Sequence, residues 1–345
     1  MPPLRFEAAG ALKEVLSVAR RFGSQIPPLG VLVTAGMIAG DQAMGLLGFF
    51  AAGPAAANGQ ATTKAFPRVQ VVPLPDGRAS FQFDGTEKLR YHYAKRHTRP
   101  FWFPLIGPAG RPLTRITHPH DPNGHSHHKS IWIAHHDVNG LDFWSDSTRT
   151  RIVHDAVVCY DDGPDAASMT VRNRWLDGDG RRVLAETRTT RLIPLRDGEL
   201  FVDIELTFTA TDGSVTFGKT PFGFLGVRVA KTIGVHDGGG TIRNSEGGVN
   251  EKQVLWKRAR WVDYSGPIAP DAHNGITLMD HPTNPRYPTY YHVRNDGWMG
   301  ASFCYENPCS LAPKQSLKLK YRLYGHKGDR SPADIDAVWK RFAAE

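Results

Sequence analysis

The feature that most constrains the fold of this chain is the repeated alternation of apolar and polar residues over 69–326. In ELFVDIELTF (199–208) every second residue from Leu200 onward is apolar, and Asp203 and Glu205 lie on the opposite side. A period of two is the pattern of a β-strand. Similar runs, separated by turn signals such as DGDG (177–180), lie at 79–94, 151–161, 168–195 and 316–326. The pattern predicts an all-β fold, a large antiparallel β-sandwich with long loops.

One helix stands out, at the C-terminus, in SPADIDAVWKRFAA (331–344). Ser331 suits the N-cap position and Pro332 the first helical position. Asp334 completes a capping box with Ser331. The sequence therefore predicts one C-terminal helix on an otherwise β-rich domain.

The segment 1–61 differs in composition from the rest of the chain. Basic residues at 20–21 precede apolar stretches at 26–40 and 43–61, the second rich in small residues. This order is typical of an export signal. We predict a leader over 1–61 that includes an over-long start, a single β-sandwich domain over 62–345, and a periplasmic or secreted location. A low-complexity leader and a membrane anchor are the alternatives for 1–61. No other stretch approaches membrane-spanning length, so no stable membrane span is expected in the mature domain.

The formal net charge of +8 is moderately basic, but Lys and Arg are scattered and no nucleic-acid motif is present. We therefore expect a small-molecule or oligosaccharide substrate and no nucleic-acid partner. The oligomeric state is left open.

The segment THPHDPNGHSHHKSIWIAHHDVNG (117–140) holds seven of the fifteen histidines. The pairs His118/His120 and His125/His127 are two residues apart, and an extended chain presents such a pair on one face, as a metal site requires. No HExxH signature accompanies them. Three interpretations stay open: metal ligation, for which His118 and His120 are the candidates, direct catalytic or substrate contact, and anchoring of an irregular loop.

Other polar and aromatic side chains are candidates for catalysis or binding. Carboxylates for general acid chemistry are Glu186 and Glu205. Arg228 is a cation in an otherwise apolar strand, and such a cation reaches a carboxylate or a ligand. The segment 279–300 is polar and stiffened by three prolines. From these features and the histidine segment, the predicted catalytic residues are His125, His127, His128, Glu186 and Glu205, and the predicted substrate-binding residues are His136, Asn139, Trp144, Arg228, Asp280, His281, Arg286 and His292.

Five blocks in order carry a family resemblance: RPFWFPLIGPAGRPLTR, the histidine segment continuing to DFW, FGFLGVRVA, KRARWVDYSGP and GITLMDHPTNPRYPTYYHVRNDGWMG. Together they resemble the PmoA-like family of uncharacterised bacterial proteins, which carries the label methane oxygenase PmoA. The resemblance covers about Val69 to Tyr324. It implies a β-supersandwich of the galactose-mutarotase type, a fold associated with sugar isomerases, lyases and glycosidases.

The leading hypothesis is a secreted carbohydrate-active enzyme, a hydrolase, lyase or isomerase, that uses the histidine segment for acid/base or metal-assisted chemistry. A divalent metal is left open as a cofactor. The first alternative is a non-catalytic carbohydrate-binding module. The second is a metal-dependent oxygenase, as the label of the resembled family suggests.

Overall fold

The structure, a computed structural model, describes residues 66–117 and 125–345. The predicted leader and the histidines at 118 and 120 lie outside the described residues. The described strands are β1 Val69–Leu74, β2 Arg78–Phe83, β3 Thr86–His92, β4 Phe101–Leu105, β5 Ile131–His135, β6 Arg151–Asp161, β7 Ala167–Leu176, β8 Arg182–Pro194, β9 Leu200–Thr209, β10 Val215–Phe217, β11 Gly223–Arg228, β12 Thr241–Asn244, β13 Lys257–Arg258, β14 Trp261–Ala269, β15 Ala272–Asp280, β16 Tyr290–Arg294, β17 Trp298–Ser302, β18 Cys309–Leu311 and β19 Ser316–Lys327. The α-helices are α1 Val235–Gly238, α2 Asn250–Val254 and α3 Pro332–Phe342.

Two large antiparallel sheets make up the domain. The first has nine strands in the order β1-β2-β3-β4-β5-β11-β17-β16-β13, and the second has eight in the order β12-β14-β15-β19-β9-β8-β7-β6. The short strands β10 and β18 pair separately. Buried apolar side chains of both large sheets belong to one core cluster, for example Phe81 and Trp102 from the first sheet with Trp175 and Leu206 from the second. The predicted all-β sandwich is therefore confirmed.

The alternation that predicted the strands is visible in their burial. In β9 the residues at even positions from Leu200 to Phe208 are buried, whereas Glu205 is exposed. The run 151–161 forms β6 with the same bounds. The sequence pattern therefore identified both the elements and the side of β9 that faces the core.

The C-terminal helix α3 begins as predicted. The Ser331 side chain accepts a hydrogen bond from the Asp334 amide, and the Asp334 side chain accepts one from the Ser331 amide. The helix buries Ile335, Val338 and Phe342 in a small second core cluster. Among residues 66–117 and 125–345, no helix is long and apolar enough to cross a membrane.

Candidate functional site

A pocket of about 560 Å³ opens where four neighbouring strands of the nine-stranded sheet, β5, β11, β17 and β16, meet the segments that precede and follow β5. This volume is in the range of small-molecule sites. Histidines, aromatic rings and a few charged groups form its walls. The lining residues are His125, His127, His128, His136, Trp144, Ser145, Phe222, Arg228, His292, Arg294, Asp296 and Trp298.

Strand register explains why these side chains meet. Across the four strands, Trp132 pairs with Gly226, Gly226 with Gly300, and Gly300 with His292. Residues in such a cross-strand row project to the same face of a sheet. The row therefore places an indole at one end, an imidazole at the other and two glycines between them.

A second row runs beside the first. Arg228 of β11 pairs with Trp298 of β17, which pairs with Arg294 of β16. A Cβ atom on Gly226 would lie 2.8 Å from the indole carbons of both Trp132 and Trp298. The missing side chain at this position is thus what leaves room for the two indoles on the pocket face.

His128 belongs to the aromatic part of the pocket. Its ring stacks on Trp298 at 5.2 Å between ring centroids and 8° between planes, and on Trp132 at 5.3 Å and 26°. Trp144 lies edge-on to Trp298 at 5.6 Å. The result is an almost fully buried aromatic cluster with one imidazole embedded in it.

The two-residue spacing predicted that the histidines before β5 lie on extended chain, and this prediction is wrong for the described histidines. Residues 125–127 form a turn, closed by a hydrogen bond from the His128 amide to the His125 carbonyl at 3.0 Å. The rings of His125, His127 and His128 still cluster, with centroid separations of 4.4 to 5.8 Å. The turn brings His125, His127 and His128 together. On an extended strand, His127 and His128 would point to opposite faces.

Two of the pocket imidazoles are held uncharged near neutral pH. Burial lowers the pKa of His127 to about 4, and the nearby Arg99 guanidinium acts in the same direction. Burial also lowers the pKa of His292 to about 4, with a further contribution from Arg294. An uncharged imidazole can accept a proton, so both side chains fit the role of a general base.

Arg228 and Asp296 form a pair in the wall of the pocket. Nη1 of Arg228 donates to Oδ1 of Asp296 at 2.9 Å, and the Asp296 side chain is 30% exposed whereas that of Arg228 is fully buried. Nε and Nη2 of Arg228 have no hydrogen-bond partner among the described residues. The same holds for Nδ1 of His292. A buried polar atom without a partner is costly, so these atoms mark a strained part of the wall behind the pocket surface.

The charged residues of the lining are compensated. Arg228 pairs with Asp296, and Nε of Arg294 lies 3.2 Å from Oε1 of Glu251. At the mouth, Nε2 of His136 lies 3.9 Å from Oδ2 of Asp142. The pocket therefore offers many donors and acceptors without a strong excess of either charge.

Metal ligation has little support in the described part of the chain. Within residues 66–117 and 125–345, no group of three or more His, Cys, Asp or Glu side chains has an arrangement that could hold a metal ion. The proposed ligands His118 and His120 fall in the segment that the structure does not describe. Their metal role stays a prediction.

The structure brings seven of the predicted site residues to one pocket. They come from the turn before β5, from the segment after it and from β11 and β16. They are His125, His127, His128, His136, Trp144, Arg228 and His292.

The predicted carboxylates are not in this pocket. Glu186 is buried in the second sheet, where it accepts hydrogen bonds from Nε of Arg188 at 2.5 Å and from the Trp175 indole at 2.7 Å. Glu205 is exposed on β9, 3.9 Å from Lys320. The two carboxylates lie on opposite faces of one sheet, so they do not form an acid/base pair, and an ion pair already occupies Glu186.

Four predicted binding residues also lie elsewhere. Asn139 has a positive φ of 53° in the turn after β5, and it bonds the backbone of Ser214 and Thr216. Asp280 and His281 are buried beside the loop before β16. The Arg286 guanidinium donates to the carbonyls of the 307–308 segment. Each of these side chains satisfies local backbone or loop groups.

Sequence reasoning missed several residues that shape the pocket. Phe222 and Trp298 line it. Arg99 does not line the pocket, but it donates hydrogen bonds to the carbonyls of His127 and Ser145, which do. One signal was available: Gly226 and Gly300 interrupt apolar strands, and an interior strand glycine marks the close approach of another group. The partner groups could be identified only from the register.

Fold and site together define a β-sandwich protein with a histidine- and tryptophan-lined pocket on its nine-stranded sheet. The chain belongs to the family of unknown function DUF6807, whose family model matches residues 78–340. That description assigns no activity, and the oxygenase label suggested by the sequence resemblance finds no support in it. No curated protein matches the chain.

Two solved structures are similar to this chain. Galactose 1-epimerase from Lactobacillus acidophilus NCFM matches with 9% identity and a TM-score of 0.33, over 76% of this chain and 100% of that one. An aldose epimerase homologue from C. elegans matches with 9% identity and a TM-score of 0.30, over the same shares of the two chains.

Proposed function

We propose that the protein is a carbohydrate-active enzyme that moves protons on an uncharged sugar by means of its pocket histidines. The observation that carries this proposal is the convergence of five histidines and two tryptophans on one pocket of about 560 Å³. An uncharged imidazole can accept a proton from a bound substrate. Indole surfaces suit the apolar face of a sugar.

In this proposal the residues divide the work by their surroundings. His127 and His292, whose pKa values are lowered to about 4, act as proton acceptors. The partly exposed carboxylate of Asp296, held by the buried Arg228, binds sugar hydroxyls. A sugar hydroxyl can donate a hydrogen bond to this carboxylate.

The charge balance favours an uncharged sugar over a sugar acid or a sugar phosphate. Both lining arginines are already paired with carboxylates. An anionic ligand would gain little from paired cations and would meet the Asp296 carboxylate. Hydrolysis, elimination and isomerisation of a sugar all need proton transfer, and the reaction type is the open part of the proposal.

Ligand-observed NMR and calorimetry with a matched panel would test the binding part. The panel contains the neutral sugars glucose, galactose and xylose. It also contains glucuronate and glucose 6-phosphate as charged counterparts of glucose, and galacturonate as the charged counterpart of galactose. We expect binding of at least one neutral sugar and weaker binding of its acidic counterpart. Binding of none of the compounds would contradict the proposal.

The histidine variants His127→Gln and His292→Gln distinguish an enzyme from a binding module. An enzyme loses turnover by about 10²–10⁴-fold on loss of a general base while it retains sugar affinity. If the unaltered protein binds sugar but does not turn it over, the protein is a binding module and the proposed catalysis is wrong. Glu205→Gln is a matched control because Glu205 is exposed on the other sheet, away from the pocket.

A further inference from the structure

The segment that carries His127 and the segment that carries Trp144 and Ser145 are joined by one buried cation. Arg99 precedes β4 and is 2% exposed. Its Nη1 donates to the His127 carbonyl at 3.2 Å and its Nη2 to the Ser145 carbonyl at 3.2 Å. Two walls of the pocket are thus held by the two ends of one guanidinium.

A carboxylate fixes the guanidinium in turn. Nη2 of Arg99 lies 3.1 Å from Oδ1 of Asp146, and Nζ of Lys129 lies 3.1 Å from Oδ2 of the same group. The Thr98 hydroxyl also donates to Asp146, at 2.7 Å. A buried cation held this firmly has one orientation.

We propose that Arg99 is a positioning residue of the pocket, which ties the His127 segment to the Ser145 segment and sets its positive charge beside the His127 imidazole. The arrangement uses the planar fork of arginine, in which two separate nitrogens donate in fixed directions, whereas a lysine donates from one nitrogen only. The catalytic meaning of this role rests on the proposed function, whereas the contacts exist without it.

Burial and the charges that face His127 together set its pKa. Arg99 and His125 favour the uncharged imidazole, and Asp146 and Asp142 favour the charged one. Burial is the largest influence and Arg99 the second, and together they lower the pKa of His127 to about 4. The pKa of Arg99 itself falls only to about 10, because burial lowers it and Asp146 opposes the change, so Arg99 keeps its charge at neutral pH.

The test is an NMR titration of the His127 ring in the free full-length protein, with the resonance assigned from His127→Gln. In Arg99→Met we expect the pKa of His127 to rise from about 4 towards the ordinary value of 6.5, because the positive charge that disfavours the imidazolium is removed. In Arg99→Lys we expect the pKa to stay near 4 while the indole resonance of Trp144 shifts, since the Ser145 carbonyl loses its donor. Arg322→Met is the control, because Arg322 is equally buried but pairs with Asp203 in the other sheet.

An unchanged pKa of His127 in Arg99→Met would overturn the proposal. If that variant does not fold, Arg99→Lys decides: it keeps the positive charge but removes the guanidinium fork, so an unshifted Trp144 indole resonance overturns the proposal. These measurements need no sugar. A failed sugar panel would therefore remove the proposed function without affecting this result.

Discussion

At the scale of single residues, the protein keeps histidines uncharged by burying them. His292 lies between the rings of Trp256, at 4.2 Å, and Trp298, at 5.6 Å, and its pKa falls to about 4. An unfolded chain has a histidine pKa near 6.5. The difference ties the stability of the fold to pH.

The sign of this dependence follows from the lowered pKa. Between pH 6.5 and about 4 the unfolded chain takes up a proton at position 292 and the folded chain does not, so the free energy of unfolding falls as the pH falls. In His292→Gln we expect a smaller loss of stability between pH 7 and pH 5 than in the unaltered protein. Urea denaturation at the two pH values measures it. Equal losses in both proteins would contradict the burial of an uncharged imidazole.

The sequence predicted the environment of side chains that are usually buried or usually exposed. It did not predict buried ion pairs. Glu186 and Arg188 alternate with the outward residues of β8, yet both point to the buried face and pair there. The alternation of apolar and polar residues would instead place these two charged side chains on the solvent-exposed face of the sheet. Their mutual ion pair and the hydrogen bond that the Trp175 indole donates to the Glu186 carboxylate compensate their burial.

At the scale of elements, the pocket depends on a strand without a side chain at one point. A Cβ on Gly226 would lie 2.8 Å from Trp132 and from Trp298, closer than real Cβ contacts. The strand was predictable from its apolar letters. The need for glycine was not, because the two indoles come from strands distant in sequence.

Gly226→Ala therefore should displace both indoles and disturb the pocket. We expect a loss of stability of about 1–3 kcal/mol from overpacking and a loss of sugar binding. Gly213→Ala is the matched control, because no atom lies within 4 Å of its added Cβ. Denaturation and calorimetry of both variants measure the effect, and equal behaviour of the two would show that the glycine row does not shape the pocket.

The C-terminal helix shows how much a local signal can predict. Its capping box was readable from Ser331 and Asp334, and the structure has both reciprocal hydrogen bonds. The sequence did not predict which residues the helix packs against, because Trp261 and Met279 lie on β14 and β15, distant from the helix along the chain.

Ser331→Ala removes the side-chain acceptor of the Asp334 amide. The expected loss in the free energy of unfolding is about 1 kcal/mol. Chemical denaturation measures it, with Ser147→Ala, an exposed serine outside any helix, as the control. A loss no larger than that of the control would show that the cap does not stabilise the helix.

At the scale of the whole molecule, alternation predicted the sandwich, whereas the site needed the sheet order. The strands β5, β11, β17 and β16 are neighbours in the sheet although β5 ends at His135 and β16 begins only at Tyr290 along the chain. This order joins the histidine segment to His292 and leaves Asp280 and His281 outside. Export to the periplasm or beyond the cell stays a prediction from residues 1–61.

The central claim is that the pocket histidines move protons on a bound sugar. Proton NMR of neutral sugars in D₂O, with the unaltered protein and with the double variant His127→Gln/His292→Gln, tests it most directly. We expect that at least one sugar changes with the unaltered protein, by anomer exchange, deuterium incorporation, elimination or cleavage, and that the double variant loses this activity by at least about 10²-fold. A double variant as active as the unaltered protein, or no change in any sugar, would contradict it.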